Sequence, residues 1–162
     1  MRLSEGVEWG VHCATLLCGL GPEQALPAAR LAEYHGVPEP YLAKHLQAMA
    51  RAGILASAPG PKGGYGLARS PEEITVLDVV EALDGVEPAF HCDEIRRRGP
   101  TASPAAWYRL PCSIHRLMLS ADEAWRAELR ATTIADLFRG LFDDVDSRIL
   151  AKGAAWLQEV AR

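Results

Sequence analysis

The amino-acid sequence predicts a mainly α-helical protein that carries one small β-hairpin and a long helix in its second half. Three observations predict it. Apolar residues recur at helical spacing, at Val7, Val11, Ala14 and Leu17 and again along residues 113–131. That period breaks once, at two short runs, residues 54–58 and 65–68, on either side of the turn cluster Pro59-Gly60-Pro61-Lys62-Gly63-Gly64. Directly before the break, two short helical patterns meet at Gly36-Val37-Pro38.

Each element has its own signals. The first helix is expected to start near Leu3–Ser4, with Ser4 as candidate N-cap, and to end at Gly19, Gly21 and Pro22. Pro27 suits the first position of a second helix, which runs to about His35 and stops at Gly36. Val37 and Pro38 open a third, carrying Tyr41, Leu42, Leu46, Met49 and Ala50, and Gly53 closes it. The two short runs then pair as a hairpin. Thr75 with Asp78 has the spacing of a capping box for a helix through Leu77, Val79, Val80 and Leu83, ended by Gly85. Residues 86–111 hold Pro88, Gly99, Pro100, Pro104 and Pro111 and no sustained period, the mark of a functional or disordered loop. A long helix follows from about Ser113 to Ala131, with the stripe Ile114, Leu117, Met118, Ala121, Ala124, Trp125 and Leu129. That stripe reads either as a dimerisation face or as an intrachain core face. Thr133 and Asp136 cap a short helix over Ile134, Leu137 and Leu141, and a last one covers about Ile149–Val160.

Composition bounds the function. Of 162 residues 49% are hydrophobic, enough for one domain with a core or a small domain plus an appendage. The formal charge is −4, from 17 Lys and Arg against 21 Asp and Glu, which excludes a uniformly basic nucleic-acid coat. Four cysteines are too few for a disulfide scaffold, no apolar stretch suits a membrane span, and the N-terminal segment does not read as a secretory signal. A cytoplasmic protein with reduced thiols is expected. The charge is uneven. Residues 25–69 hold Arg30, Lys44, Arg51, Lys62 and Arg69 against Glu33 and Glu39, a net +3. The 11 bases and 16 acids of residues 70–162 sum to −5. The basic block is either a surface for an anion such as DNA or chance clustering on a solvated face.

Helix, Gly-containing turn, helix and hairpin, in that order, make a winged helix-turn-helix. On that reading the third helix enters the major groove, with Glu39, Tyr41, Lys44, His45 and Gln47 toward its start. Lys and Gln suit base edges; Tyr and Lys suit phosphate. Tyr41, Lys44, His45 and Gln47, with Lys62 at the tip of the wing, are the candidate contacts to a double-stranded operator. The alternative is a helical bundle with an incidental hairpin. A single such module binds weakly, so a homodimer on two half-sites is expected. Three segments follow: 1–85 as winged-helix DNA-binding domain, 86–112 as a ligand-bearing loop, and 113–162 as dimerisation helix and C-terminal helices. No H-E-x-x-H, P-loop or G-x-S-x-G motif is present, so no enzyme is expected.

The segments MRLSEGVEWGVH, VPEPYLAKHLQAMARAGIL, GPKGGYGLAR and ITVLDVVEALDG resemble the Rrf-two family of winged-helix regulators, over roughly residues 1–140. That resemblance implies a homodimeric transcription factor. In its cluster-binding members an iron–sulfur cluster lies between the loop after the capped helix and the first helix of the partner protomer; other members lack the cluster. Cluster binders typically carry three cysteines in this loop. Here Cys92 matches the first, Arg98 stands near the second place, and Cys112 is the other loop cysteine. Two thiolates need two further ligands to hold a [2Fe–2S] cluster. Glu8 and His12, four residues apart, project from one helix face. The set Glu8, His12, Cys92 and Cys112, with EIRRRGP after Cys92, is most similar to the redox-sensing RsrR type, whose relatives include IscR and NsrR. His115, in Cys112-x-x-His115, is a weaker candidate for His12's or Glu8's place, and His91 weaker still. Cys13 and Cys18 are expected as buried thiols. The run Arg96-Arg97-Arg98 reads as solvated loop, cluster counter-charge or DNA contact. The rival readings are a cluster-free regulator using a Cys92/Cys112 thiol switch or a small-molecule effector, and an iron–sulfur electron-transfer or zinc protein.

Overall fold

The computed structural model describes residues 3–21, 24–60 and 63–160. The apolar periodicity resolves there into helices α1 (Glu5–Cys18), α2 (Ala28–His35) and α3 (Glu39–Arg51), then strands β1 (Leu55–Ala58) and β2 (Gly64–Leu67). Helices α4 (Val76–Asp84), α5 (Ser113–Ala131), α6 (Ile134–Asp144) and α7 (Ser147–Val160) follow. Two single 3-10 turns, Ile95–Arg97 and Ala105–Trp107, interrupt the loop between α4 and α5. Among the described residues no helix is long and apolar enough to cross a membrane.

The chain divides into two compact units. One is Val86–Glu128; the other holds the remaining described residues, so α6 and α7 fold with the winged helix. The core of the second unit lies where α1 meets α3, α4 and α6, and where α2 meets α3. Leu26, Leu31, Leu42, Leu46, Met49, Ile54, Ile74, Val79, Ile134 and Cys13 are the largest of its fully buried side chains. Each buried Leu or Ile contributes roughly 1.5–3 kcal/mol, which makes this cluster the main source of stability.

Local chemistry explains the boundaries. Gly36 ends α2 at φ 64, and the Val37 N–H donates back to Ala32 O at 3.0 Å, which sets the tight turn into α3. Pro27 stands one place before the first helical residue, as the N-cap of α2, and Pro38 has that place before α3. The hairpin is antiparallel with Leu55 opposite Leu67. A further bridge, which the sequence pattern does not show, pairs Leu26 with Tyr65: N–H to O distances are 3.0 and 2.8 Å. Residue 64 has to be glycine here, because a Cβ would stand 2.3 Å from the Leu26 carbonyl carbon and oxygen. Both capping boxes are formed, Thr75 with Asp78 and Thr133 with Asp136. They lie back to back: Thr75 bridges Thr133, and Val76 N–H donates to Thr132 O at 2.9 Å.

Ser4 departs from expectation. It occupies the N-cap position of α1, but its side chain makes no cap. The Ser4 hydroxyl and amide donate instead to Asp84 at 2.5 and 2.9 Å, tying the start of α1 to the end of α4. The hydroxyl proton makes a charge-assisted bond to the Asp84 carboxylate, while the hydroxyl oxygen accepts from none of the first α1 amides.

Candidate functional site

Helix α3 presents one exposed stripe. Tyr41, Lys44 and Gln47 are exposed, and Arg51 continues the line one turn further on. Leu42, Leu46 and Met49, fully buried, hold the opposite face in the core. Lys44 Nζ lies 5.5 Å from the centre of the Tyr41 ring. Arg51, part of the basic block of residues 25–69, adds a cation to this surface beyond the candidate contacts. Its position at i+7 from Lys44 was the available signal.

His45 faces the other way. It is half-buried against α1, where its ring meets the Trp9 ring edge-on at 5.9 Å. A Cβ on Gly6 would lie only 2.4 to 2.8 Å from three atoms of the same ring. The glycine therefore lets α1 and α3 approach, and His45 joins the two helices. At the wing, Gly63 turns so tightly that a Cβ would meet the Ala58 carbonyl oxygen at 2.1 Å. Lys62, the candidate at the tip, lies outside the described residues.

The four candidate metal ligands fall two and two into the two units. Glu8 and His12 are exposed and one turn apart on α1. The His12 ring stands 5.8 Å from that of His35, whose pKa is lowered by burial and then by the neighbouring imidazole. Cys92 and Cys112 belong to the loop unit, and both are free and half-buried. Cys112 immediately precedes α5. The backbone N–H of His115, joined by that of Ile114, stabilises its thiolate, and the Arg96 guanidinium adds to this, so its pKa is lowered from the ordinary thiol value.

Glu94 organises this loop. It adopts a left-handed backbone at φ 48. Its carboxylate accepts from Arg96 Nε at 2.5 Å, and the backbone amide of Cys112 reaches the same group. The residue two places after Cys92 is thereby linked to Cys112 itself. Arg96 stacks on Tyr108 at 4.9 Å, and the Tyr108 hydroxyl donates to Arg96 O at 2.6 Å. Arg96 is thus an internal fastener of the loop rather than a solvated member of the Arg run, and sequence alone showed no partner for it. Arg126 of α5 completes the unit, paired with Asp122 at 2.8 Å and donating to Val86 O at 3.0 Å.

His115 is half-buried, its Nδ1 without a hydrogen-bond partner among the described residues and its ring 6.2 Å from Phe90. Exposed His91 stands 3.8 Å from Asp93. Cys13 is fully buried and burial pushes its thiol up to about 12, as a core thiol requires. Cys18 is also raised, by burial and by the Glu72 carboxylate. Among the described residues no three His, Cys, Asp or Glu side chains gather to hold a metal ion. Along α5, Ile114 is 61% and Leu117 67% exposed, and no residue of the helix is buried.

A glycine-stopped α2, an α3 with a polar exposed stripe and the hairpin that follows form a winged helix-turn-helix, and the family match makes the chain a DNA-binding transcriptional regulator. Residues 3–140 match the family described as Rrf2, iron-dependent transcriptional regulator. The chain belongs to that family. It is similar to Protein rrf2 of Nitratidesulfovibrio vulgaris, 30% identical over 139 residues, covering 86% of this chain and 88% of the relative. In fold it is similar to CymR, the global cysteine regulator of B. subtilis, with TM-score 0.68, 22% identity, and coverage of 86% of this chain and 97% of that one. It is likewise similar to T. potens IscR, with TM-score 0.62, 24% identity, and coverage of 86% and 87%.

Proposed function

We propose that this regulator is a cytoplasmic homodimer of the RsrR type, whose affinity for its operator follows the redox state of a [2Fe–2S] cluster at the protomer interface. Glu8 and His12 of one protomer and Cys92 and Cys112 of the other are the ligands in this reading. When bound, the cluster supplies one-electron redox chemistry at a potential raised by the imidazole ligand. The observation that supports the reading is the division of donors: an exposed carboxylate and imidazole on α1, and two free cysteines in the loop unit, of which Cys112 is tied to Glu94 and has its thiolate stabilised. The apolar stripe left bare along α5 supports a second protomer. Tyr41, Lys44, Gln47 and Arg51 face the operator, with Lys62 on the wing. His45 transmits the position of α1 to α3 through Trp9 and Gly6. A redox change acts only so far as the two cluster states favour different dimer geometries.

Anaerobic purification followed by visible absorption and EPR after reduction tests the cluster. A chromophore lost in Cys92→Ala and in His12→Ala is expected. A colourless, iron-free protein that still binds DNA would refute it. The lowered pKa of Cys112 favours a second reading, a Cys92/Cys112 thiol–disulfide switch without a cluster. There Cys92→Ala changes peroxide sensitivity with no chromophore to lose.

A further inference from the structure

The unit that holds the winged helix also carries an apolar cleft, open to solvent on one side, apart from the α3 stripe and the candidate ligands. It measures about 750 Å³ and lies between the C-terminal half of α1, the end of α2, α6 and α7. That volume is in the range of sites for drug-sized molecules, roughly 300–1,000 Å³. The cavity is not slack that α7 closes by settling inward, because close contacts fix that helix. A Cβ on Gly153 would stand 3.0 Å from the Tyr34 hydroxyl, and one on Gly19 would stand 3.3 Å from Leu157. The rings of Tyr34 and Trp156 are 4.8 Å apart. Between these contacts the space stays open, with Phe142 and Ile149, 62% and 59% exposed, on its lining.

The lining selects the occupant. Among the described residues that line it, none is charged. An ionic ligand would lose its hydration there without a counter-charge. Phe138, Phe142 and Tyr34 offer rings for edge and face contacts, and Leu141, Leu150 and Leu157 line the space with aliphatic surface. Polar groups are few: Thr15, Gln24, Gln158 and the Tyr34 hydroxyl. Thr15 already donates to Val11 O at 2.9 Å, so its oxygen is left to accept. Gln24 Oε1 already accepts the Gly21 N–H at 2.8 Å, so its amide N–H groups are left to donate.

We propose that this cavity binds a neutral, largely apolar, ring-containing small molecule with one or two hydrogen-bonding groups. The site stands independently of the cluster. It includes Tyr34 of α2, the helix packed on the recognition helix, so an occupant stiffens the support of α3.

The probe N-phenyl-1-naphthylamine, neutral and aromatic, tests it by fluorescence titration of the full-length protein. Saturable binding at one probe per chain is expected. Leu141→Trp and Ala154→Trp each fill the cavity and are expected to abolish it, with helical content and melting temperature kept. Ala154 is exposed on α7, so its variant folds even where the more buried Leu141→Trp does not. Absence of saturable binding by the intact protein overturns the proposal, as does unchanged affinity in folded Ala154→Trp. Light scattering supplies the remaining arm. A filled variant that drops to a smaller assembly shows that a second copy occupies the space, which also overturns the proposal.

Discussion

Gly6→Ala is the sharpest probe of how α1 is coupled to the recognition helix. In a free helix the change is favourable by roughly 0.5–1 kcal/mol, since glycine loses more backbone entropy on folding. Here the new methyl would stand 2.4, 2.6 and 2.8 Å from three ring atoms of His45. Ordinary carbon contacts lie at about 3.5–4.0 Å, so the ring has to retreat by about 1 Å. His45 is half-buried and already packed edge-on against Trp9, so the retreat disturbs the joint between α1 and α3. Overpacking of this kind costs about 1–3 kcal/mol, which outweighs the entropic gain. Gly6→Ala is therefore expected to destabilise the protein. In a His45→Ala background the obstacle is gone and the same change stabilises it. Urea denaturation followed by circular dichroism across the four-member cycle is the assay, with an expected coupling of about 1–3 kcal/mol. Equal stabilisation in both backgrounds would show that His45 does not hold α3 against α1.

Other consequences are as direct. Lys44→Ala and Lys62→Ala should each weaken operator binding and flatten its salt dependence by about one counterion per lost phosphate contact, read from electrophoretic titrations at several salt concentrations. In iron-stripped protein, iodoacetamide should label Cys112 first and leave Cys13 unlabelled until the chain unfolds, as mass spectrometry of digests would report; the Cys112 thiolate is stabilised and the Cys13 thiol is pushed up to about 12. Thr133→Ala should cost about 1 kcal/mol through the lost cap of α6. The same substitution should flatten the acid limb of stability. The Thr133 hydroxyl, then its amide, holds the Asp136 carboxyl below its usual value of 3.8, so that contribution is present above the unfolded pKa and lost as pH falls through the folded one. Denaturation midpoints measured between neutral and acid pH check both effects.

The fold was legible because its signals are local. Gly36 stops α2, the wing glycines interrupt the helical period, and Thr75 and Thr133 each stand three places before an aspartate. Ranges followed these signals to within a residue or two. What escaped the sequence depends on distant partners. Ser4 bonds Asp84, Leu26 bridges Tyr65, and His45 turns to Gly6 rather than outward with Tyr41 and Lys44. No period or spacing announces such pairs. At the candidate site the ligand residue types and the Glu8–His12 spacing were readable. The role of Glu94 was not, since it needs a left-handed backbone and an amide eighteen places further on. The cavity beside α7 escaped for the same reason, because it arises where α7 meets α2 and the end of α1, Gly153 against Tyr34 and Leu157 against Gly19.

The claim that the ligands come from two protomers meets its most direct test in complementation. Chains carrying Glu8→Ala with His12→Ala and chains carrying Cys92→Ala with Cys112→Ala should each be colourless. Mixed and reconstituted with iron and sulfide, they form heterodimers in which one of two sites keeps all four ligands. The predicted result is recovery of the visible absorption and the reduced-state EPR signal in the mixture alone. If the mixture stays as colourless as its components while the unaltered protein takes up a cluster, ligation in trans is contradicted.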